Sequence, residues 1–73
     1  MTVWVIEKVR NDRWVFDKVA SSFEKAKDIT RNYVLDDLKT WGLNKEEEKE
    51  VLEAFEVMGH IDDLIHISEQ EVD

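Results

Sequence analysis

Apolar and polar residues alternate along the first part of the chain. Residues 2–9 read as a strand, with Val3, Val5 and Val9 pointing to one side and Trp4 and Ile6 to the other. The run Arg10-Asn11-Asp12-Arg13 reads as a turn, because Asn and Asp tolerate the left-handed conformations that tight hairpins use. Residues 14–19 read as the return strand, with Trp14 and Phe16 on one face and Val15 and Val19 on the other. Both faces of this hairpin carry large apolar groups. One layer of helices covers a single face, so the other must meet something else.

The period then changes. Ser21 and Glu24 have the spacing of a capping box, and Ala26, Ile29, Tyr33, Val34, Leu38 and Trp41 follow at helical intervals up to Gly42, a C-cap candidate. Asn44 and Glu47 repeat the capping signal, which predicts a second helix from about Lys45 with a buried stripe of Val51, Leu52, Phe55 and Met58, ended by Gly59. The β-branched pair Ile65 and Ile67 favours a third strand over residues 63–69 rather than a last helical turn. The predicted fold is α+β: a small ββααβ domain, in which an N-terminal β-hairpin and a C-terminal strand pack on two helices. It occupies residues 1–73 as a single domain.

Composition adds constraints. A chain of 73 residues buries a thin core, and domains of this size usually depend on a disulfide, a metal or a second subunit. There is no cysteine, which removes disulfides and thiolate metal sites and suits a reducing compartment. A second copy is the remaining staple, so a homodimer is expected. The longest unbroken apolar run is residues 3–6, and no leader-like apolar stretch follows Met1. The expectation is a cytoplasmic protein with no membrane partner.

Charge sharpens the picture. The net charge is -8, and it is not evenly spread: residues 1–40 hold eight basic and seven acidic side chains, whereas residues 41–73 hold two basic and eleven acidic. Direct nucleic-acid binding needs a basic patch. Trp4, Lys8, Arg10, Arg13 and Trp14 interleave aromatic and basic groups on the hairpin, but the acidic half opposes them. A basic partner fits better. On a helical wheel Glu46, Glu50 and Glu53 lie opposite Phe55, separated by roughly 6 Å or less along the axis, whereas phosphates of one DNA strand repeat about every 3.4 Å. Glu47, Glu56, Asp62, Asp63, Glu69 and Glu71 extend this acidic surface. Lys45 and Lys49 are too few to neutralise it. The plainer alternative is a solvated helix face with glutamates favoured near its N-terminus.

Catalysis and cofactors find little support. The chain has no cysteine nucleophile, no G-x-S-x-G and no glycine-rich phosphate loop, since Gly42 and Gly59 are its only glycines. His60, Asp62, Asp63 and His66 match neither a closed zinc pattern nor a calcium loop. No catalytic residue, cofactor or metal is expected.

A short, cysteine-free chain with a one-sided acidic surface resembles the small proteins that phages use for host takeover. Within that group it is similar to DNA mimics, and in particular to acidic homodimeric phage inhibitors of bacterial nucleoid-associated HU proteins. The resemblance rests on size, charge layout and the ββααβ order, and no diagnostic motif carries it. It implies an inhibitor that occupies the DNA-binding surface of a basic host protein in the bacterial cytoplasm, with Glu46, Glu50, Glu53 and their neighbours as phosphate surrogates. The alternative is an acidic adaptor or regulator that binds a folded host protein through an apolar hairpin face of Trp4, Ile6, Trp14 or Phe16.

Overall fold

The structure, a computed structural model, describes residues 1–73. The elements run β1 (Thr2–Arg10), β2 (Arg13–Ala20), α1 (Phe23–Thr40), α2 (Lys45–Met58), β3 (His60–Ile61) and β4 (Ile65–Glu71). The domain is therefore α+β. The four strands form one antiparallel sheet in the order β2-β1-β4-β3. The expected C-terminal strand is present as β4, and a two-residue β3 is added before it. The tight turn over residues 62–64, with Asp63 in the left-handed region at φ 61°, folds His60–Ile61 back on β4 and shifts the start of the long strand to Ile65. No helix is long and apolar enough to cross a membrane.

The β1–β2 turn forms as its residues dictate, with Asn11 and Asp12 both at positive φ. β2 then departs from simple alternation. Glu7 pairs with Phe16 but Ile6 pairs with Lys18, so Asp17 is an extra, bulged residue. Asp17 reaches Lys8 Nζ at 3.1 Å. The bulge changes the parity of everything after it. Val19 pairs with Val5, on the same face as Trp14 and Phe16 and not on the opposite one as simple alternation predicts.

Both helices cover one face of the sheet. Ile6, Ile65 and Ile67 point into that layer and meet Val34 and Leu38 of α1 and Phe55 of α2. The N-cap of α1 is Ser22, one residue later than the capping-box spacing suggests, and its hydroxyl accepts the Lys25 N–H at 3.1 Å. Glu24 then pairs with Lys27 at 2.9 Å rather than closing a box. The buried stripe of α1 is Ala26, Thr30, Val34 and Leu38, which leaves Ile29 and Trp41 exposed. Thr30 tolerates burial because its hydroxyl donates to the Ala26 carbonyl at 2.9 Å. Gly42, at φ 69°, follows the C-cap Trp41. α2 begins at Lys45 behind a complete Asn44–Glu47 capping box, and Gly59 ends it at φ 65°. Only Phe55 of its stripe is fully buried. Val51 and Leu52 pack against the core's margin, and Met58 is exposed, because α2 lies over the β3 rim of the sheet rather than its centre.

Candidate functional site

α2, from the acidic half of the chain, gives the molecule an acidic side at the β3 edge of the sheet. β1 and β2 form one half of the sheet, and β4 and β3 form the other, with α2 against β3. The acids of α2 gather at the β3 edge of the sheet, whereas Glu69 and Glu71 lie on β4 beside β1, and Lys27 and Arg31 of α1 reach Glu56.

α2 presents the acids. Asn44 Oδ1 accepts the Glu47 N–H at 2.8 Å, and the Asn44 N–H donates to Glu47 Oε1 at 3.3 Å. Glu46, Glu47 and Glu48 sit in the first turn, where the helix dipole favours negative charge. Glu46, Glu50 and Glu53 are exposed, and the one ion pair on this row is Lys49 to Glu53 at 4.0 Å, with Lys45 beside Glu46 at the start of the helix. Asp63 and Glu69 are also exposed. Glu47, Glu56, Asp62 and Glu71 make contacts within the molecule. Asp62 faces His60 Nε2 at 2.7 Å, and Glu71 accepts the Thr2 hydroxyl and lies 3.6 Å from the terminal amino group.

Glu56 does not belong to the outward row that the sequence suggests. Arg31 grips its carboxylate with two nitrogens, Nε at 2.9 Å and a second at 3.2 Å. Lys27 Nζ lies 3.2 Å from the same carboxylate and donates to the Glu56 backbone carbonyl at 2.9 Å. The hydrogen bonds from Arg31 are the main reason its carboxyl is held below the usual carboxylate range, with Lys27 adding to the effect. Glu56 ties α2 to α1, with its charge matched by Arg31 and Lys27 while its side chain stays 42% exposed.

The candidate apolar face also needs correction. Ile6 is completely buried and Trp4 packs against the core, both beneath the helices. Ile6 is unavailable to a partner, and Trp4 is partly buried. Trp14 and Phe16 lie on the other face of the sheet, joined there by Val19. The alternation of β1 already places Val3, Val5 and Val9 on that face, and the bulge at Asp17 brings Val19 to it. No helix covers it.

His60 and His66 share this open face. Their rings meet edge to face at 5.1 Å, and Trp14 stacks on His60 at 6.5 Å. No group of three or more potential ligands converges there or elsewhere. No family model, curated protein or solved structure matches the chain, so its two surfaces, the acidic side and the open sheet face, are read from their own geometry.

Proposed function

We propose that this protein is a binding protein and not an enzyme, and that its acidic side occupies the DNA-binding surface of a basic protein in a bacterial cytoplasm, with an HU-type nucleoid protein the first candidate. The observation that carries the reading is the exposed, almost unneutralised row Glu46, Glu50 and Glu53 on α2. The row spans about 10 Å of helix axis, the rise of roughly three base pairs. Its helix is held rigid at both ends, by the capping box and by the Lys27–Arg31–Glu56 cluster. A basic groove built to take closely spaced phosphates would meet a line of fixed carboxylates, and long-range attraction would speed the encounter at low salt.

The test is a competition gel shift with labelled duplex, a basic DNA-binding protein and increasing amounts of this chain. Wild type displaces the DNA. Substituting Glu46, Glu50 and Glu53 together with Gln removes three charges at little cost in shape, and displacement weakens along with the salt dependence, by roughly one unit of log–log slope per lost contact. If wild type displaces nothing from nucleoid or repair proteins, mimicry fails. If the triple variant displaces DNA equally well, α2 is the wrong surface.

The second reading, an adaptor that binds a folded host protein through the hairpin, rests on exposed Trp14 and Phe16. It predicts binding that changes little with salt.

A further inference from the structure

A groove runs along α2 where the helix lies over the β3 rim of the sheet. Val51, Ala54 and Met58 of α2 line it, with Ile61 of β3, Asp62 of the following turn and Trp41 at the C-cap of α1. Val51 and Met58 stand two helical turns apart, about 10 Å along the axis, and the small Ala54 between them leaves a depression. The groove holds about 280 Å³. Met58 and Trp41 are 58% and 42% exposed. Large apolar side chains that face water around a hollow mark a recognition site rather than a solvated surface.

The rim has the opposite character. Glu47 and Glu50 stand one turn before Val51 and Ala54, a spacing that sets each beside its neighbour on the helix surface. Both are exposed, as is Asp62. The cations of α2 are elsewhere. Lys45 and Lys49 line a separate depression on its other flank, with Leu52 and Glu56. Lys39 stands two residues before Trp41, a helical spacing at which side chains do not face each other.

We propose that the groove docks a basic helical segment of a partner protein: apolar side chains one turn apart enter it, and flanking Lys or Arg residues meet Glu47, Glu50 and Asp62. The proposal does not rest on DNA mimicry, which needs charge alone, and it stands if the carboxylate row displaces no DNA.

Size, length and charge select this occupant. The volume falls just below the roughly 300–1,000 Å³ of drug-sized sites and suits one or two side chains. Apolar side chains four residues apart on a helix are about 6 Å apart along its axis, which fits within the span from Val51 to Met58. An extended peptide would instead add to the sheet edge, but β3 is two residues long and offers few backbone groups. Met58 gives the wall a side chain that adapts to the shape of an anchor. The rim attracts a basic segment and rejects an acidic one.

The probe is a Lys-rich peptide of about a dozen residues with two Leu four residues apart. Two companions separate the contributions: one has Ala in place of Leu, the other Gln in place of Lys. Titration into the 15N-labelled protein at about 0.15 M salt is followed by the indole N–H signals of Trp4, Trp14 and Trp41. The Trp41 signal should move with the Leu–Lys peptide, and each companion should bind about tenfold more weakly or worse. Ala54→Leu fills the groove and Met58→Gln removes an apolar wall, both without a change of charge. Each should weaken binding about fivefold or more, with the circular dichroism spectrum unchanged. Glu47→Gln keeps the capping box, and joined to Asp62→Asn it removes two rim charges and should weaken binding severalfold. Glu46→Gln with Glu53→Gln, on the outward side of α2, should leave binding within about twofold. That pair belongs to the row of the mimicry reading, so the two readings fail separately. A Trp41 signal unmoved by about 1 mM peptide overturns the proposal, and movement of Trp14 alone transfers binding to the open sheet face. A companion as strong as the Leu–Lys peptide also overturns it, because charge or apolar contact alone then suffices. Binding indifferent to both Ala54→Leu and Met58→Gln lies outside the groove.

Discussion

Lys27 and Glu56 are joined twice: the buried ammonium donates to the Glu56 backbone carbonyl at 2.9 Å and lies 3.2 Å from its carboxylate. Lys27 is 5% exposed, and its Nζ lies over the Phe23 ring, 4.7 Å from the ring centre. Glu24 supplies a further carboxylate at 2.9 Å and is the largest influence holding the Lys27 ammonium above its usual range. This cluster is the main polar link between the helices.

Removing the Glu56 carboxylate strips Arg31 of its bidentate partner and leaves Lys27 with less compensation in a buried site. Glu56→Ala should destabilise by about 1–3 kcal/mol, less than a fully buried pair would lose because Glu56 keeps contact with solvent. Urea unfolding measures it. The acid limb follows from the same contact. The folded-state carboxyl is held below its ordinary value, so its contribution is complete above about pH 4.3 and disappears as pH falls through the lower folded value. The urea midpoint of wild type should drop below that pH, and Glu56→Gln should show a smaller drop. Equal acid sensitivity in both would remove Glu56 from the account.

The two glycines should respond differently to alanine. Both lie at positive φ, 69° for Gly42 and 65° for Gly59. A Cβ on Gly42 meets nothing within 4 Å, so only the backbone term remains, about 1–2 kcal/mol. A Cβ on Gly59 would stand 2.6 Å from the Phe23 ring and 3.0 Å from Ile67 Cβ. Gly59→Ala should therefore cost the backbone term and about 1–3 kcal/mol more for overpacking. Melting temperatures of the two variants should separate clearly, and equal losses would contradict the packing of Phe23 under β4.

Asn44→Ala removes the side-chain half of the capping box. The expected loss is about 1 kcal/mol, with reduced helicity confined to the α2 N-terminus in hydrogen exchange. Because α2 carries the acidic row, the same variant should weaken any competition with DNA through lost order rather than lost charge. Unchanged protection at residues 45–48 would sink this coupling.

His60 and His66 engage Trp14 and each other, and His60 also engages Asp62. Adding zinc or a chelator should leave the melting temperature where it is. A shift of several degrees in either direction would mark the pair as ligands.

Much of what is decided within one turn of chain was legible in the sequence, although the α1 cap fell on Ser22 rather than Ser21 and the turn over residues 62–64 was not foreseen. The Asn11-Asp12 hairpin, the Asn44–Glu47 box and the Gly59 stop depend on backbone geometry and groups at most four residues apart, so the residue types alone specify them. The alternation of β1 likewise separated Val3, Val5 and Val9 from Trp4 and Ile6, and residue counting located the acidic half. What depends on partners distant in sequence was not legible. The bulge at Asp17 is set by pairing with β1 and a contact to Lys8, and it alone moves Val19 to the open face. Glu56 looks like its neighbours on a helical wheel, yet Arg31, twenty-five residues earlier, captures it. Lys27 reads as a surface residue and is buried, because three oxygens that only the folded helices bring together replace its water. Met58 fits the buried stripe of α2 and is exposed, since α2 sits on the rim of the sheet. Short-range geometry is written in residue type. Which face is covered, which charge is free and which is consumed depend on the packing of elements far apart in the chain, and the tertiary structure alone decided them.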